Sequence, residues 1–533
     1  MWQQTYAPLG DSLVLSALAA ALPIFTLLFL LGVARKPGWL AGLIGTGVAI
    51  LVALFVYHMP VAMAISSLFY GAANGLWPIG WVVFTAILLY RITVETGKFE
   101  IIKDSIGSLT SDQRLQALLI AFAFGAFIEG AAGFGTPVAV AAAMLAGLGF
   151  SPFYAASICL LANTAPVAFG SIGTPLIALQ QVTQLNMASL SANVGRICAP
   201  VSLFIPAYLI LVMGGIPALR AVFPAAALCG IAFASVQFAV SNYVGPYLTD
   251  IFASLAAMGT LVALFKVWKP AGAKPAPQHG HRGASVVLAW LPYVFLVIMV
   301  LVWGNNDIKA VLNKANFVFA WPGLHNLVQR MPPVASQASA YGAMYTFSLI
   351  SASGTSCLIA VFLSAMVLKV APKQLASITW SVSKQLALPM LTIASVLALA
   401  FLMNYCGATA TLGLAFATTG KLFPFFSPVV GWIGVFLTGS DTAANALFGT
   451  LQTVTADRLG FSPSMMASAN SAGGVMGKMI SLQSIAVAAA ATGMAQSDEG
   501  KLLRFTLKHS VFLVVVMGLL VMFYVYVAPG LIR

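Results

Sequence analysis

The sequence predicts an all-α polytopic membrane protein with about 12 transmembrane helices and two re-entrant hairpins, arranged as an inverted repeat. Of its 533 residues, 60% are hydrophobic and only 7% are charged, whereas soluble domains contain about 45–50% apolar and about 25% charged residues. The mean hydropathy is +0.98. Apolar runs of roughly 18 or more residues, long enough to span a bilayer as helices, recur along the chain.

The composition also limits the classes of function. A soluble fold of this size cannot cover its surface with 12 acidic and 25 basic residues, so a soluble enzyme, a nucleic-acid-binding protein and a disordered scaffold are poor explanations. The net charge of +13 comes from bases scattered singly between apolar runs. Such an excess is typical of cytoplasmic loops under the positive-inside rule.

The predicted spans follow from the apolar runs and the orientation from the bases. With the N-terminus outside, 17 of the 25 Lys and Arg residues fall on the inner side. The polar segment 269–284 is then a cytoplasmic linker between a first half, 1–268, and a second half, 285–533. We interpret His279 and His281 in this linker as solvated loop residues and expect no metal site. The predicted spans are 12–34, 39–57, 66–90, 153–185, 196–213, 221–241, 250–268, 285–303, 340–368, 386–403, 464–495 and 506–531.

Two further apolar stretches are poor single spans and are predicted to be hairpins that turn back within the membrane. Each has glycines and a carboxylate in its middle, and such backbone is tolerated at membrane depth only inside protein or beside a wet cavity. The first half contains a hairpin at about 112–150 and a broken helix at about 153–185. The second half repeats this order, with a hairpin at about 424–460 and a broken helix at about 464–495.

The spacing of polar residues supports a duplication. Glu129 and Asp441 are 312 residues apart, and Asn163 and Asn470 are 307 apart. In the charge-based topology the two hairpins enter from opposite sides, with the loop near 111–113 inside and the loop near 424–427 outside. Inverted repeats with broken helices are typical of secondary transporters. The alternative is that the small-residue motifs reflect ordinary helix packing.

Glu129 and Asp441 are candidate proton carriers. A charged carboxylate at membrane depth costs several kcal/mol, so such groups are protonated, paired or exposed to a wet cavity. A desolvated carboxylic acid can therefore bind and release a proton near neutral pH. The alternative is a structural role in which each acid bonds hairpin backbone.

Two Asn–hydroxyl pairs, Asn163-Thr164 and Asn470-Ser471, are predicted to lie where helices break, because glycines or prolines follow each of them. Broken helix ends expose N–H groups that attract anions, and the side chains add neutral donors. Two such ends facing each other would hold a small carboxylate. The alternative is that the asparagines are ordinary polar packing residues.

Charged and small residues complete the predicted substrate site. Lys478, which follows the second predicted break, is the preferred partner for a bound carboxylate. Arg196 is a second candidate, with a membrane-interface anchor as its alternative. Gly133, Gly135 and Ser440 belong to the hairpin motifs and are expected to contribute backbone and hydroxyl groups.

No motif for nucleotide hydrolysis, acyl transfer or metal catalysis occurs in a suitable context. We therefore expect neither an enzyme nor a bound cofactor.

At these residues the chain resembles the bacterial lactate permease family, and the similarity covers essentially the whole sequence. The resemblance implies uptake of lactate or glycolate with protons across the bacterial inner membrane. The family in turn is similar to a wider ion transporter superfamily with paired hairpins and elevator-type movement. The matching stretches are WQQTYAPLG (2–10), YGAANGLWPIGW (70–81), TSDQRLQ (110–116), FIEGAAGFGTPVAV (127–140), NTAPVAFGSIGTP (163–175), RMPPVASQASAY (330–341), FFSPVVGWIGVFLTGSDTAANALF (425–448), GGVMGKMISLQSIA (473–486) and RFTLKHS (504–510).

Two positions depart from the family pattern. Gln337 stands where an acidic residue is common, which places more weight on Glu129 and Asp441 as proton carriers. Leu482 stands where proline is common, which weakens any expectation for the geometry of the second broken helix.

Several alternatives stay open at the level of sequence. Within transport, sodium-coupled uptake of a similar organic anion is the second hypothesis, and a passive monocarboxylate channel is the third. The expected partners are lactate or glycolate, protons and the lipid bilayer, with no nucleic acid. A homodimer is one open assembly. A single methyl group contributes only about 1–3 kcal/mol to discrimination, so the sequence does not rank L-lactate, D-lactate and glycolate.

Overall fold

The computed structural model describes residues 1–133, 135–270, 283–495 and 498–532, and its architecture is almost entirely helical. Within these ranges, 11 helices are long and apolar enough to cross a membrane, or up to 12 if a bent pair is counted as one span. This confirms the predicted helical membrane architecture. The predicted linker, with His279 and His281, lies mostly outside the described residues.

Helices of the first half begin after a short N-terminal strand. Several are extended or broken by non-α turns, among them the π-helical segments Val52–Val56, Gly75–Gly80 and Ala117–Phe124. The α-helices are α1 (Leu13–Gly32), α2 (Gly38–Leu51), α3 (Val61–Asn74), α4 (Trp81–Glu95), α5 (Lys98–Gly107), α6 (Gln113–Gln116), α7 (Gly125–Ala131), α8 (Thr136–Gly147), α9 (Pro152–Ala162), α10 (Gly170–Thr183), α11 (Met187–Tyr243) and α12 (Thr249–Val267).

The second half contains ten more α-helices in its described part. Short 3₁₀ turns occur at Ala417–Leu422 and Pro529–Leu531. The α-helices are α13 (Gly283–Gly304), α14 (Asn306–Asn313), α15 (Ser353–Val367), α16 (Pro372–Cys406), α17 (Ala408–Phe416), α18 (Phe423–Thr438), α19 (Asp441–Leu459), α20 (Pro463–Lys478), α21 (Leu482–Thr492) and α22 (Glu499–Tyr526).

The described residues include five short strands, one at the N-terminus and four between α14 and α15. One sheet has the order β1-β3-β4, in which β1 runs parallel to β3, and β2 pairs antiparallel with β5. Trp2 is in register with Val328. The strands are β1 (Trp2–Gln3), β2 (Phe317–Ala320), β3 (Val328–Arg330), β4 (Ser339–Tyr341) and β5 (Met344–Phe347).

Two predicted boundaries differ from the structure. The sequence predicts a span over 340–368, but strands occupy its beginning and the helix starts only at Ser353. A loop was expected near 424–427, whereas Ser427 is buried inside α18 and donates a hydrogen bond to the Met466 carbonyl. The turn lies earlier, at 417–422, because Pro424 occupies the first turn of α18, where a missing N–H costs nothing.

The first hairpin turns near Gly133 and Gly135, between the arm formed by 113–131 and helix α8. Gly133 and Gly135 have φ of 62° and 81°, a left-handed region that L side chains other than Asn and Asp rarely occupy. The second hairpin turns between α18 and α19, where Gly439 has φ of 72°. The Ser440 hydroxyl caps α19 by accepting a hydrogen bond from the Ala443 N–H at 3.3 Å.

Each hairpin is followed by a helix interrupted near the middle of the molecule. Between α9 and the helix that follows it the axis bends by 65°, and Ser171, Ile172 and Gly173 all have positive φ. A run of left-handed residues is strained, which is characteristic of functional sites. The second interruption, 479–481, is shorter, and the Ser481 side chain caps α21.

Elements of the two halves pack against each other across the molecule. The second arm of hairpin 1, α8, lies against α21, and the second arm of hairpin 2, α19, lies against α10. Asn445 of α19 donates to the Pro175 carbonyl at 3.1 Å, and Thr450 donates to the Val182 carbonyl at 2.8 Å. Both hairpin tips and both interrupted helices therefore meet in one place.

Hairpin 2 packs directly on α20 through glycine. A methyl group added at Gly431 would overlap the Asn470 carbonyl oxygen, one at Gly473 would overlap that of Pro428, and one at Gly477 that of Trp432. Such backbone contact is how membrane helices associate when lipid and side chains are equally apolar.

Candidate functional site

The hairpin tips and helix breaks surround a cavity of about 70 Å³. That volume holds a few water molecules or a small organic ion, because one ordered water needs about 10–15 Å³ measured this way. The lining residues come from both halves of the chain. They are Glu129, Gly133, Gly135, Val167, Gly170, Ser171, Thr174, Pro175, Gly439, Ser440, Asp441, Thr442, Lys478, Gln483, Ser484 and Val487.

Four helix N-termini converge on this cavity. The lining includes the residue before α8 (Gly135), the start of the regular part of α10 (Thr174), the N-cap of α19 (Ser440) and the first turn of α21 (Gln483). The first N–H groups of a helix have no intrahelical partner and carry partial positive charge. The cavity is therefore built to receive an anion.

Glu129 enters the cavity from the first hairpin. It is 4% exposed, and its Oε2 accepts a hydrogen bond of 2.9 Å from Asn163 Nδ2. Its Oε1 lies 2.6 Å from the position that a Cβ would take at Gly170. A larger residue at position 170 would thus displace the carboxyl group from the helix break.

Asp441 enters the cavity from the second hairpin, in the first turn of α19. Its Oδ2 accepts hydrogen bonds from Ser471 Oγ at 2.7 Å and from Asn445 Nδ2 at 3.3 Å. Its Oδ1 is buried and has no hydrogen-bond partner among the described residues. Glu129 and Asp441 are not equivalent positions, because Glu129 precedes its hairpin tip and Asp441 follows its own.

Lys478 is the last residue of α20 and the only cation among the described residues that line the cavity. It is 8% exposed and donates a hydrogen bond of 2.6 Å to the Gly439 carbonyl at the tip of hairpin 2. Its two other ammonium protons have no protein acceptor among the described residues. It can therefore hold the hairpin tip and a bound carboxylate together.

Comparison with known proteins identifies the family. The family model described as L-lactate permease matches residues 16–528. The chain belongs to the L-lactate permease family. It is 44% identical to "L-lactate permease" of Bacillus subtilis over 96% of each chain, and 43% identical to the Escherichia coli protein of that name over 100% of each. It is 42% identical to "Glycolate permease GlcA" of Escherichia coli over 99% of each.

A solved structure shares the fold of this family member. MtrF of Neisseria gonorrhoeae, described with a class of antimetabolite efflux pumps, superposes with a TM-score of 0.50 and 13% identity over 94% of this chain and 97% of that one. Together with its apolar helices, family membership makes the chain a multi-pass protein of the bacterial inner membrane. Its curated relatives are named permeases and not enzymes, as the sequence predicts.

Of the eleven site residues predicted for this family member, six line the cavity, two bond its carboxyl groups and three do neither. Glu129, Asp441, Lys478, Gly133, Gly135 and Ser440 line it, and Asn163 and Ser471 bond the two carboxylates. Thr164 is buried and turned back onto the Leu161 carbonyl.

Asn470 was expected at a helix break but lies inside the unbroken part of α20. Its side chain is fully buried, donating to Asn445 Oδ1 and accepting from Gln452 Nε2, each at 3.0 Å. Gly473 and Gly474 do not end α20, because they pack against hairpin 2 within the helix. The helix therefore ends only at Lys478. Asn470 thus supports Asn445, which in turn contacts Asp441.

Arg196 does not line the cavity. Its Nε donates to Asn242 Oδ1 at 2.8 Å, and its guanidinium also donates to the Leu531 carbonyl near the C-terminus. The structure thus gives Arg196 a role in joining α11 to the end of the chain.

Sequence reasoning missed the contributions of Thr174, Gln483 and Ser484 to the cavity, and it missed Asp250. Asp250 is 1% exposed, but it stands at the edge of a predicted span and therefore resembles a boundary residue. A signal was present in the preceding Gly245-Pro246, which separates α11 from α12 and lies beside Gly173. No base follows Asp250 until Lys266.

A second cavity, of about 260 Å³, lies along the other end of α10. Gln180 and Gln181 of α10, Trp303 at the end of α13, and Lys309 of α14 are among its lining residues. Helix α10 therefore contributes residues to both cavities, with Pro175 in the first and Ile177 in the second.

Proposed function

We propose that this protein takes up lactate and glycolate together with protons, binding the substrate in the cavity between the hairpin tips. The observation that carries the proposal is the combination of four helix N-termini and one buried cation with two buried carboxyl groups in a single cavity. The names of the curated relatives, which specify L-lactate and glycolate, supply the substrate class.

Charge balance within the cavity links proton binding to substrate binding. With Glu129 and Asp441 both ionised, Lys478 leaves a net charge of about −1, and a second anion is repelled. With both acids protonated the net charge is about +1, and a bound lactate neutralises it. Substrate therefore binds best to the protonated cavity, and by thermodynamic reciprocity protons bind best when substrate is present.

The same balance favours one proton for each substrate anion. In the empty cavity, one ionised acid neutralises Lys478, and in the loaded cavity lactate replaces that charge. Both states are neutral, which is the low-cost condition for moving buried groups at membrane depth. The difference between the two states is one lactate and one proton.

An inverted repeat and elevator-type movement fit this mechanism. The two halves contribute matching parts in the same order, and each hairpin packs against the interrupted helix of the other half. These contacts support the proposed halves, 1–268 and 285–533. Alternating access then requires the cavity to open to each side in turn.

The recognition of a 2-hydroxyacid requires donors for the carboxylate and partners for the hydroxyl group. Lys478 and the helix ends serve the carboxylate. The side chains of Thr174, Gln483 and Ser484, which line the same cavity, are able both to donate and to accept hydrogen bonds. They are the groups proposed to bind the 2-hydroxyl of lactate or glycolate.

Purified protein in liposomes tests this function. An inward lactate gradient without a pH gradient should acidify the lumen, as reported by a trapped pH dye, and a pH gradient should drive lactate accumulation that a protonophore abolishes. Replacing sodium with choline at fixed pH should leave both results unchanged. Accumulation that requires sodium would establish the sodium-coupled alternative, and equilibration without accumulation would establish a passive channel.

A further inference from the structure

Asp250 is a third carboxylic acid buried close to the cavity. It lies in the first turn of α12 and is 1% exposed. It does not line the cavity itself. Helix α12 packs against α7, the segment that carries Glu129, and against α11.

The carboxyl group of Asp250 has no compensating partner. Both Oδ1 and Oδ2 are buried and lack a hydrogen-bond partner among the described residues. An ionised carboxylate in such surroundings is strongly disfavoured, so the group takes the neutral, protonated form. Asp250 is therefore a protonated acid that makes no hydrogen bond with a structural role among the described residues.

The first turn of α12 is in direct contact with α7, the helix that precedes the tip of hairpin 1. A Cβ added at Gly130 would lie 2.9 Å from the Asp250 Cβ and 3.1 Å from the Ile251 nitrogen. Gly130 follows Glu129 in the chain, so its missing side chain allows the first turn of α12, which carries Asp250, to pack against the segment that carries Glu129. Glu129 lines the cavity, whereas Asp250 does not.

We propose that Asp250 is a proton-binding residue in series with Glu129, and that protons pass between these two carboxyl groups during transport. In the transfer, protonated Asp250 gives its proton to ionised Glu129, which leaves an Asp250 carboxylate and a neutral Glu129, or the reverse. This inference rests on the proposed proton symport and adds a proton position that the substrate never touches.

Few other groups can titrate against this pair. From α7, Glu129 is the charged group that acts electrostatically on Asp250. From α11, the buried thiol of Cys198 is the titratable group that interacts electrostatically with Asp250. On the cavity side, Lys478 acts on Glu129. Among the described residues, no cation is within ion-pairing distance of Asp250, so its proton is exchanged with another acid or with water.

Liposomes containing Asp250→Asn test the proposal through two readouts. Lactate counterflow at equal pH on both sides needs no net proton release, and it should stay within about twofold of wild type. Lactate-driven acidification of the lumen should fall at least tenfold. Asp250→Glu, which restores a carboxyl group, should restore acidification with an altered pH profile. Ser254→Ala, a buried change further along α12, should leave both readouts unchanged.

The outcomes separate this inference from the function on which it rests. Wild-type protein that moves lactate without protons would refute symport itself. Wild-type symport together with full acidification and an unchanged pH profile in Asp250→Asn would refute the relay alone, and so would parallel loss of counterflow and acidification. If Asp250→Asn does not assemble, an unaltered pH profile in Asp250→Glu overturns the relay.

Discussion

Replacing Lys478 with methionine removes the cation of the cavity while keeping a side chain of similar length. A hydrogen bond to a charged group contributes about 1.5–3 kcal/mol, and every 1.4 kcal/mol is about tenfold in affinity. We therefore expect lactate to bind about 10- to 150-fold more weakly. The Gly439 carbonyl also loses the donor that now lies 2.6 Å away, which should lower folding stability by roughly 1–3 kcal/mol.

Ligand-dependent thermal unfolding of the purified protein measures both effects. Stability without lactate reports the lost contact at the hairpin tip, and the rise in unfolding temperature with lactate concentration reports affinity. Lys421→Met is the matched control, since the same substitution there changes an exposed lysine in the 417–422 turn. Lys478→Arg, which keeps the charge, should retain more affinity than Lys478→Met. Wild-type lactate affinity in Lys478→Met would show that the cavity is not the substrate site.

Three more predictions concern coupling, positioning and topology. Glu129→Gln or Asp441→Asn should abolish lactate accumulation but leave counterflow, and full accumulation in both variants would contradict their role as proton carriers. Asn163→Ala should slow proton-driven uptake while changing lactate affinity less than about threefold, because Asn163 contacts Glu129 and does not line the cavity. A larger loss of affinity in a lactate titration would place Asn163 at the substrate. An impermeant thiol reagent should label Leu422→Cys in intact cells and Gln113→Cys only after permeabilisation. The five native cysteines are buried and should not react. Labelling of both introduced cysteines from one side would mean that the repeats are parallel.

The sequence makes the acids of the predicted hairpins recognisable because membrane burial leaves few explanations for an acid amid glycine. Glu129 and Asp441 stand out against apolar neighbours, and both reach the cavity. Lys478 is recognisable for the same reason. These predictions depend on residue type and on the cost of desolvation. Both can be judged from the local sequence without knowledge of the tertiary structure.

Helix ends and side-chain directions could not be predicted in the same way. Asn163 closes α9 whereas Asn470 lies within α20, although glycines or prolines follow both in the sequence. Whether a glycine breaks a helix or packs it depends on the partner helix, which only tertiary structure supplies. Asp250 was missed because its burial comes from the packing of α12 against α7 and α11, which the residues around it in the sequence do not reveal.

The glycine contacts between hairpin 2 and α20 restrict how the cavity can open. Carbonyl oxygens of each element occupy the space that a methyl group would need on the other, so the two surfaces interlock and resist sliding. Hairpin 2 therefore cannot swing away as an independent gate without losing this close backbone-to-backbone packing. In the alternating access proposed above, hairpin 2 and α20 would move as one unit, and Asp441 and Lys478 would keep a fixed separation. Access would then switch at boundaries made of side chains.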